Sequence, residues 1–430
     1  MRDLLIAAIV FGVLPFTLKR PFWGVLLMAW LGYMNPHRLC YGFMLSFPVV
    51  QTVALATMLG LLISKDPKRL VWSREITVLA IFIVWMGITT TQAYFPDAAW
   101  EQYVKVIKIQ VLTFMTLMVL TSPERVRMFI WVIVLSLGYY GFKGGLFTIM
   151  NGGSYRVQGP DGTFIGGNNE LALALVMTIP LMRYLQLTEK RQSIKQLLTA
   201  LMLLSAISAI GSQSRGALLA LSMTGFMFWL KGRNKLITAI LIPITAAIIL
   251  SIMPPEWYER MGTIKTYQED ESALGRLNAW YMAFNMASHN FFGGGFSSFQ
   301  VPMFKMFAPE PDRVHDSHSI YFQVMGHHGF IGLAIFLTLL ALIWRKCSAV
   351  RRAAKGDPEL RWAFDLASML QVTLVAFLTG GAFLGLAYFD YPYHVLAIAV
   401  VTAHLIDQKV RRPTAVQGSL PPGQPLPAGR

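Results

Sequence analysis

Apolar runs of about 15 to 22 residues recur from one end of this chain to the other, and such runs cross a hydrocarbon core of roughly 30 Å as helices. They lie near 44–63, 76–95, 104–121, 127–149, 169–186, 196–212, 216–230, 235–253, 318–344, 362–387 and 391–407. Residues 3–18 and 21–34 are shorter and separated by Lys19, Arg20 and Pro21, which reads as two spans or one broken hairpin. Composition agrees: 55% of the 430 residues are hydrophobic and only 14% charged, with a mean hydropathy of +0.51, too apolar for a soluble chain of this length. The expected fold class is an all-α polytopic membrane protein with 12 or 13 transmembrane helices. Arg2 alone makes a charged leader, and Pro15 and Phe16 stand where a cleavage site would fall, so the first segment is expected to stay in the mature protein.

The net charge of +15 would suit a nucleic-acid partner, but its distribution points elsewhere. Cations crowd alternate loops: Lys65, Lys68, Arg69 and Arg74; Arg125 and Arg127; Lys190, Arg191 and Lys195; Lys231, Arg233 and Lys235; Arg345, Lys346, Arg351, Arg352, Lys355 and Arg361; Lys409, Arg411 and Arg412. By the positive-inside rule these loops are cytoplasmic, and so is the C-terminus. Topology therefore accounts for the charge, and no nucleic-acid partner is expected; membrane lipids are the surroundings. The chain divides into an N-terminal transmembrane bundle (1–253), an extracytoplasmic loop (254–317), C-terminal transmembrane helices (318–408) and a Pro/Gly-rich tail (409–430) expected to be disordered. Cys40 falls outside and Cys347 inside on this map, so the two cannot pair within one chain.

The opposite face holds three larger pieces, 96–103, 150–168 and 254–317. The last is too long to lack structure of its own. Within it "ESALGRLNAWYMAFNMASHN" reads as an amphipathic helix capped by Ser272, with Leu277, Trp280, Tyr281 and Phe284 at helical spacing and "GGG" ending it. Such a helix lies on the membrane surface or against the bundle. The neighbouring acidic run Glu269, Asp270 and Glu271 reads as a solvated loop.

Several cations break the charge rule. Lys105 and Lys108 begin a span on the outer side, Lys143 sits near an outer helix end, and Arg156, Arg215, Arg276 and Arg313 are all outside. Together they make a candidate anion site. Arg215, in "GSQSRGALLA", begins a span that reaches Lys231 in about 24 Å, so it is drawn slightly below the headgroups. One reading is an interfacial Arg whose turn is capped by Ser212 and Ser214; the other is a bidentate clamp on a diphosphate, which guanidinium geometry suits.

The stretch "DRVHDSHSIYFQVMGHHGFIGL" holds four of the eight histidines. A helix running from His318 to Arg345 would be about 40 Å long and would project roughly 10 Å beyond the hydrocarbon. His318 would then sit at headgroup level, where an imidazole can act as a base. His327 and His328, flanked by Gly326 and Gly329, fit close packing. His315 and His318, one turn apart on a helix and next to Asp316, would also suit a metal, but no third ligand stands at a fixed spacing.

In their order and sidedness, "SQSRGALLA", "GRLNAWYMAFNMASHNFFGGGFSSF" and "HSIYFQVMGHHGFIG" resemble the O-antigen ligase and polymerase superfamily. "GYMNPHRLCYGF" and "GTFIGGNNELALAL" are similar to the O-glycosylation ligases associated with the exosortase A system. The resemblance implies a GT-C-like membrane glycosyltransferase of the bacterial inner membrane with a periplasmic site. Its donor would be an undecaprenyl-diphosphate-linked glycan and its acceptor the lipid A core or another hydroxyl, with no nucleotide sugar, cofactor or metal. It maps the family's arginines onto Arg215 and Arg276 and its histidine onto His318. Lys105, Lys108, Lys143, Arg156 and His315 are further substrate-binding candidates. Ser319 and Asn290 depart from the family's usual Asn and Pro. A polymerase, a protein O-oligosaccharyltransferase and a lipid-linked sugar transporter are the alternatives. For a transporter, ionisable residues near the midplane and repeated halves would be expected.

The sidedness is directly testable. A cysteine introduced as Asp270→Cys should be modified by an impermeant reagent only from outside, and one in 187–195 or 345–361 only from inside; the reverse pattern at 270 would overturn the topology.

Overall fold

The computed structural model describes residues 1–232, 234–262 and 271–417. Arg233, the acidic residues Glu269 and Asp270, and tail residues 418–430 lie outside the described residues. Fourteen helices of 14 residues or more are described, and among the described residues there is no strand. In chain order the first eight elements are α1 (Arg2–Lys19), α2 (Pro21–Met34), the short α3 (Phe43–Ser46), α4 (Val49–Ile63), α5 (Arg74–Thr91), α6 (Pro96–Val119), α7 (Pro123–Met150) and α8 (Asn168–Thr188). Then come α9 (Gln192–Gly211), α10 (Arg215–Lys231), α11 (Lys235–Leu250), α12 (Pro255–Gly262), α13 (Glu271–His289), α14 (Val301–Phe307), α15 (Ile320–Ala353), α16 (Arg361–Gly381) and α17 (Asp390–Gln417). Seven of them are long and apolar enough to cross a membrane, and α2, α4 and α11 are shorter apolar helices. The chain is an all-α polytopic membrane protein.

Several boundaries differ from the sequence reading. The two N-terminal segments are separate helices: Arg20 is extended (φ −139°, ψ 92°) and Pro21 opens α2, since a proline is tolerated in a first turn but not in a helix interior. Residues 96–103 are the first turns of α6 rather than a loop, so Lys105 and Lys108 lie within that helix. The last helix continues beyond 408 to Gln417.

Packing sets an inside and an outside. The apolar windows of α8 and α16 are 78% buried, against 33% for α9, so α8 and α16, with α17 beside them, form the centre. Where helices approach closely, small residues make room: a Cβ on Gly141 or Gly144 of α7 would meet the Ser205 or Ser208 hydroxyl of α9 at 2.1–2.2 Å. Outward, Leu55, Leu59 and Leu62 of α4 and Leu236, Ile240, Ile244 and Ile248 of α11 are exposed. On a protein in water such stripes would be sticky patches; facing lipid they are solvated by it. Among the cationic loops, Arg125–Asp66 (2.7 Å), Arg127–Glu189 (2.9 Å) and Lys346–Glu75 (3.2 Å) are paired.

The "GHHG" segment breaks α15. Gly329 takes φ 67°, ψ −173° inside the helix, which frees carbonyls that the helix would otherwise use. Donors from elsewhere meet them: Gly294 N to Gly326 O (2.8 Å), Gly295 N to His327 O (2.9 Å) and Trp85 Nε1 to His328 O (2.9 Å). The "GGG" that follows α13 is thus the partner of the kink. His327 bonds the Tyr388 hydroxyl (3.0 Å) and His328 the Thr89 hydroxyl (2.6 Å), and both rings are buried among Phe296 and Tyr388. Close packing accounts for the pair, although the close neighbour is a loop as well as a helix.

A Cβ at Gly329 would stand 2.5 Å from the Phe291 carbonyl oxygen, on a left-handed backbone. Gly329→Ala should therefore destabilise the fold by about 1–3 kcal/mol, read as a lowered unfolding temperature of the purified protein in detergent.

Candidate active site

The site is built on α13. Its buried residues are Gly275, Asn278, Ala279, Met282, Ala283, Met286 and Ala287, whereas Tyr281 and Phe284 are exposed. The expected aromatic stripe is thus not the packed face. Small residues and methionines let α13 lie close against α15 and α14, and Tyr281 and Phe284 are left to the periphery. The helix is described from Glu271, so Ser272 is inside it and does not cap it.

The buried face of α13 holds the loop that precedes α15. Asn278 Nδ2 donates to the carbonyls of Glu310 and Arg313 (both 2.8 Å), and its Oδ1 accepts from Glu310 N (2.9 Å). At Gly275 an added Cβ would stand 2.8 Å from the His315 ring. Two residues beyond Asn278, Trp280 donates its indole N–H to the Ser317 carbonyl (2.7 Å) and stacks on Phe322 of α15, with ring centroids 4.8 Å apart and planes 5° from parallel. Arg276 lies one turn before Trp280, so it is carried to the same end of α13 as the histidine loop.

That loop corrects two expectations. The helix begins at Ile320, so neither His315 nor His318 is helical. The reason is local hydrogen bonding. Asp316 Oδ1 accepts from Ser317 N (2.7 Å), Trp280 takes the Ser317 carbonyl, and the Ser319 carbonyl accepts from Gln323 N (2.8 Å) to start α15. Pinned on both sides, His318 adopts a left-handed backbone, φ 39°, a conformation that few residues other than glycine take up. His315 and His318 still meet, with ring centroids 5.1 Å apart. Among the described residues no three His, Cys, Asp or Glu side chains form a group that could hold a metal.

Charge around His318 has a definite sense. Burial pushes its pKa below the usual imidazole value; Asp316 opposes this, and Arg276 and His315 add to it. Burial and the neighbouring cation therefore favour the neutral ring, which keeps a lone pair. Glu170, in the first turn of α8, feels the charges of both Asp316 and Arg276. Nothing in the sequence reading gave it a role. The signal was there, in an acid opening the otherwise apolar "NNELALAL".

Arg215 approaches from the other side. Residues 212–214 turn α9 into α10: Gln213 is left-handed (φ 56°), and Ser214 caps α10 by accepting from Ala217 N (3.2 Å). Ser212 does not cap it; its hydroxyl bonds the Ala209 carbonyl (2.6 Å). Two links tie this half-buried arginine's turn to the histidine loop. Asn168, two residues before Glu170, donates to the Ser212 carbonyl (2.8 Å). The end of α16 touches both helix starts: Gly216 faces Phe383, and Gly381 faces Ile320.

The remaining candidates are placed less centrally. Arg156 bonds Gln213, the neighbour of Arg215, at 3.4 Å, and with Lys143 lines a cleft of about 240 Å³ between α7 and the 156–160 loop. Lys105 is paired with Glu101 (2.7 Å) and exposed, as is Lys108. Arg313 is paired with Glu310 (3.0 Å) and Glu271 (3.5 Å).

The fold and this polar end define a class: a multi-pass, all-helical membrane protein whose Arg and His side chains gather at one end of the bundle. Residues 200–337 match the family model described as O-antigen ligase, which supports a place for this chain in the O-antigen ligase superfamily. The match does not single out the exosortase A-associated subgroup. Residues 1–190 match a model described as a family of unknown function, DUF5935. No curated protein matches. One solved chain, described under "Structural coordination of polymerization and crosslinking by a peptidoglycan synthase complex", is similar at 15% identity over 78% of this chain and 98% of that one, with a TM-score of 0.41.

Strain at His318 can be measured. His318→Gly should unfold at or above the parent's temperature, because glycine accepts the left-handed backbone. His318→Val should be less stable than His318→Gly by about 1–3 kcal/mol.

Proposed function

We propose that the protein is a glycosyltransferase of the O-antigen ligase type, moving a glycan from an undecaprenyl-diphosphate carrier to an acceptor hydroxyl, the lipid A core, on the periplasmic face of the bacterial inner membrane. The observation that carries the reading is the Trp280–Ser317 clasp. It ties the helix that carries Arg276 to the loop that carries His318, whose pKa is lowered by burial and by the Arg276 charge, and it lies inside a segment that matches the O-antigen ligase model.

The chemistry follows from these side chains. Arg215 and Arg276 hold the diphosphate and stabilise the charge it gains as it leaves, by hydrogen bonds that a guanidinium presents in pairs. His318 takes the proton of the acceptor hydroxyl as its oxygen attacks the anomeric carbon. The bond from that carbon to the diphosphate breaks on the opposite face, its electron pair leaves with the carrier, and configuration inverts. We assign His315, Lys143 and Arg156 to outlying parts of the substrates, and Lys105 and Lys108 to long-range attraction of the anionic carrier. No metal or cofactor is assigned a step.

Transfer by the purified protein from labelled donor to candidate acceptors is the test. Arg215→Ala and Arg276→Ala should each abolish most transfer, and Arg215→Lys should recover little, since an ammonium cannot make a two-pronged phosphate contact. His318→Ala should slow transfer by roughly 10²-fold or more while leaving carrier binding intact. Protonation removes the lone pair, so the rate falls as pH falls through the pKa of His318. Because that pKa is lowered, the acid limb should lie below pH 6.5, and Asp316→Asn, which removes the opposing charge, should move it lower still. Full turnover in Arg215→Lys or His318→Ala would remove the clamp or the base. Loss of activity with chelator, shared equally by His315→Ala and His318→Ala, would replace the base with a metal. A lengthened carrier-linked glycan, a glycosylated protein or movement of donor without transfer would instead assign polymerase, protein transferase or transporter.

A further inference from the structure

The far end of α15 carries a second polar site that the proposed transfer does not use. Arg345 lies about 38 Å along the helix from Ile320, so it belongs to the opposite membrane face from His318. Because α5 packs alongside α15, its start at Arg74 meets that end. Between them is a pocket of about 390 Å³, within the range of small-molecule sites, lined by Arg74, Glu75, Trp344, Arg345, Lys346 and Arg352.

Three features give the pocket a ligand preference. Glu75 is 1% exposed yet lines it, and its carboxylate takes Lys346 at 3.2 Å, which neutralises one cation and fixes its position. Among the described residues, the salt bridges at this end leave Arg74, Arg345 and Arg352 without a carboxylate, so the pocket is left with three uncompensated guanidinium groups. Trp344 lines the wall and Trp72 is exposed two residues before Arg74, and indoles gather at the headgroup level of a bilayer. A cationic pocket between helices at headgroup depth matches an anionic lipid headgroup.

We infer that this pocket binds the phosphodiester headgroup of an anionic phospholipid in the leaflet opposite the transfer site, with Arg74, Arg345 and Arg352 on the phosphate and Trp344 against the glycerol backbone. The surrounding cationic loops would attract such lipids diffusely, so the test must separate a pocket from a field.

Native mass spectrometry of the full chain in detergent, titrated with phosphatidylglycerol, makes that separation. Arg345→Gln with Arg352→Gln, both exposed positions, should weaken phosphatidylglycerol binding by about tenfold or more. Lys190→Gln with Arg191→Gln, on the same face but outside the pocket, should change it less than about twofold. Phosphatidylcholine with the same acyl chains should bind weakly to the parent. If the double variant does not accumulate, Arg345→Gln alone should still lower affinity measurably. Equal weakening in the control pair, equal binding of phosphatidylcholine, or no change in Arg345→Gln would overturn the proposal. So would displacement of the lipid by millimolar inorganic phosphate, which would make the pocket a site for free anions.

Discussion

A backbone carbonyl without a donor costs several kcal/mol in hydrocarbon, and this chain departs from regular helix at two places beside its polar end. At the Gly329 kink the released carbonyls accept from Gly294, Gly295 and Trp85. At the turn before α15 the Ser317 carbonyl accepts from Trp280. The donors come from α13, from the loop that follows it, and from α5, which packs against α15. The amphipathic segment of the long loop is therefore structural cover as much as decoration, because the irregular backbone that presents His318 persists only while those donors are seated.

The same requirement explains why α13 packs as it does. A helix that has to reach the backbone of its neighbour must approach closely, and Gly275, Ala279, Ala283 and Ala287 permit that. Asn278 and Trp280 then spend their polar groups on the loop backbone, and Arg276 is delivered beside His318 as a consequence of helical spacing. Hydrogen bonds from α13 fasten the backbone of the loop, and the charged groups are added to that frame.

The two ends of the bundle treat cations differently. At one end Asp316, Arg276 and His315 act on one imidazole: burial lowers its proton affinity, Arg276 and His315 lower it further, and Asp316 opposes them. At the other end the carboxylates of Glu75 and Asp66 pair with single cations, and Arg74, Arg345 and Arg352 line a pocket. Net charge alone distinguishes neither; the partners do.

Much of this was legible in the sequence. Apolar runs of spanning length leave only helices, since lipid offers a backbone no other way to satisfy itself, and so the class and most helix positions followed from hydropathy. Arg215, Arg276 and His318 stood out because ionisable residues are costly near a bilayer and therefore scarce. Periodicity could not say which face of α13 is buried, because close packing favoured Gly, Ala and Met over the larger aromatics. It also assigned His315 and His318 to a helix, since one-dimensional spacing does not see an indole 37 residues away taking a carbonyl. The roles of Glu170, Asn168 and Trp280 depend on three chain segments meeting, and only the tertiary structure decides that. The sequence by itself determined that the chain lives in a membrane as helices and which side chains could do chemistry there; the fold decided which of them meet, because the contacts that join them are long-range hydrogen bonds from side chains to backbone carbonyls that no local pattern records.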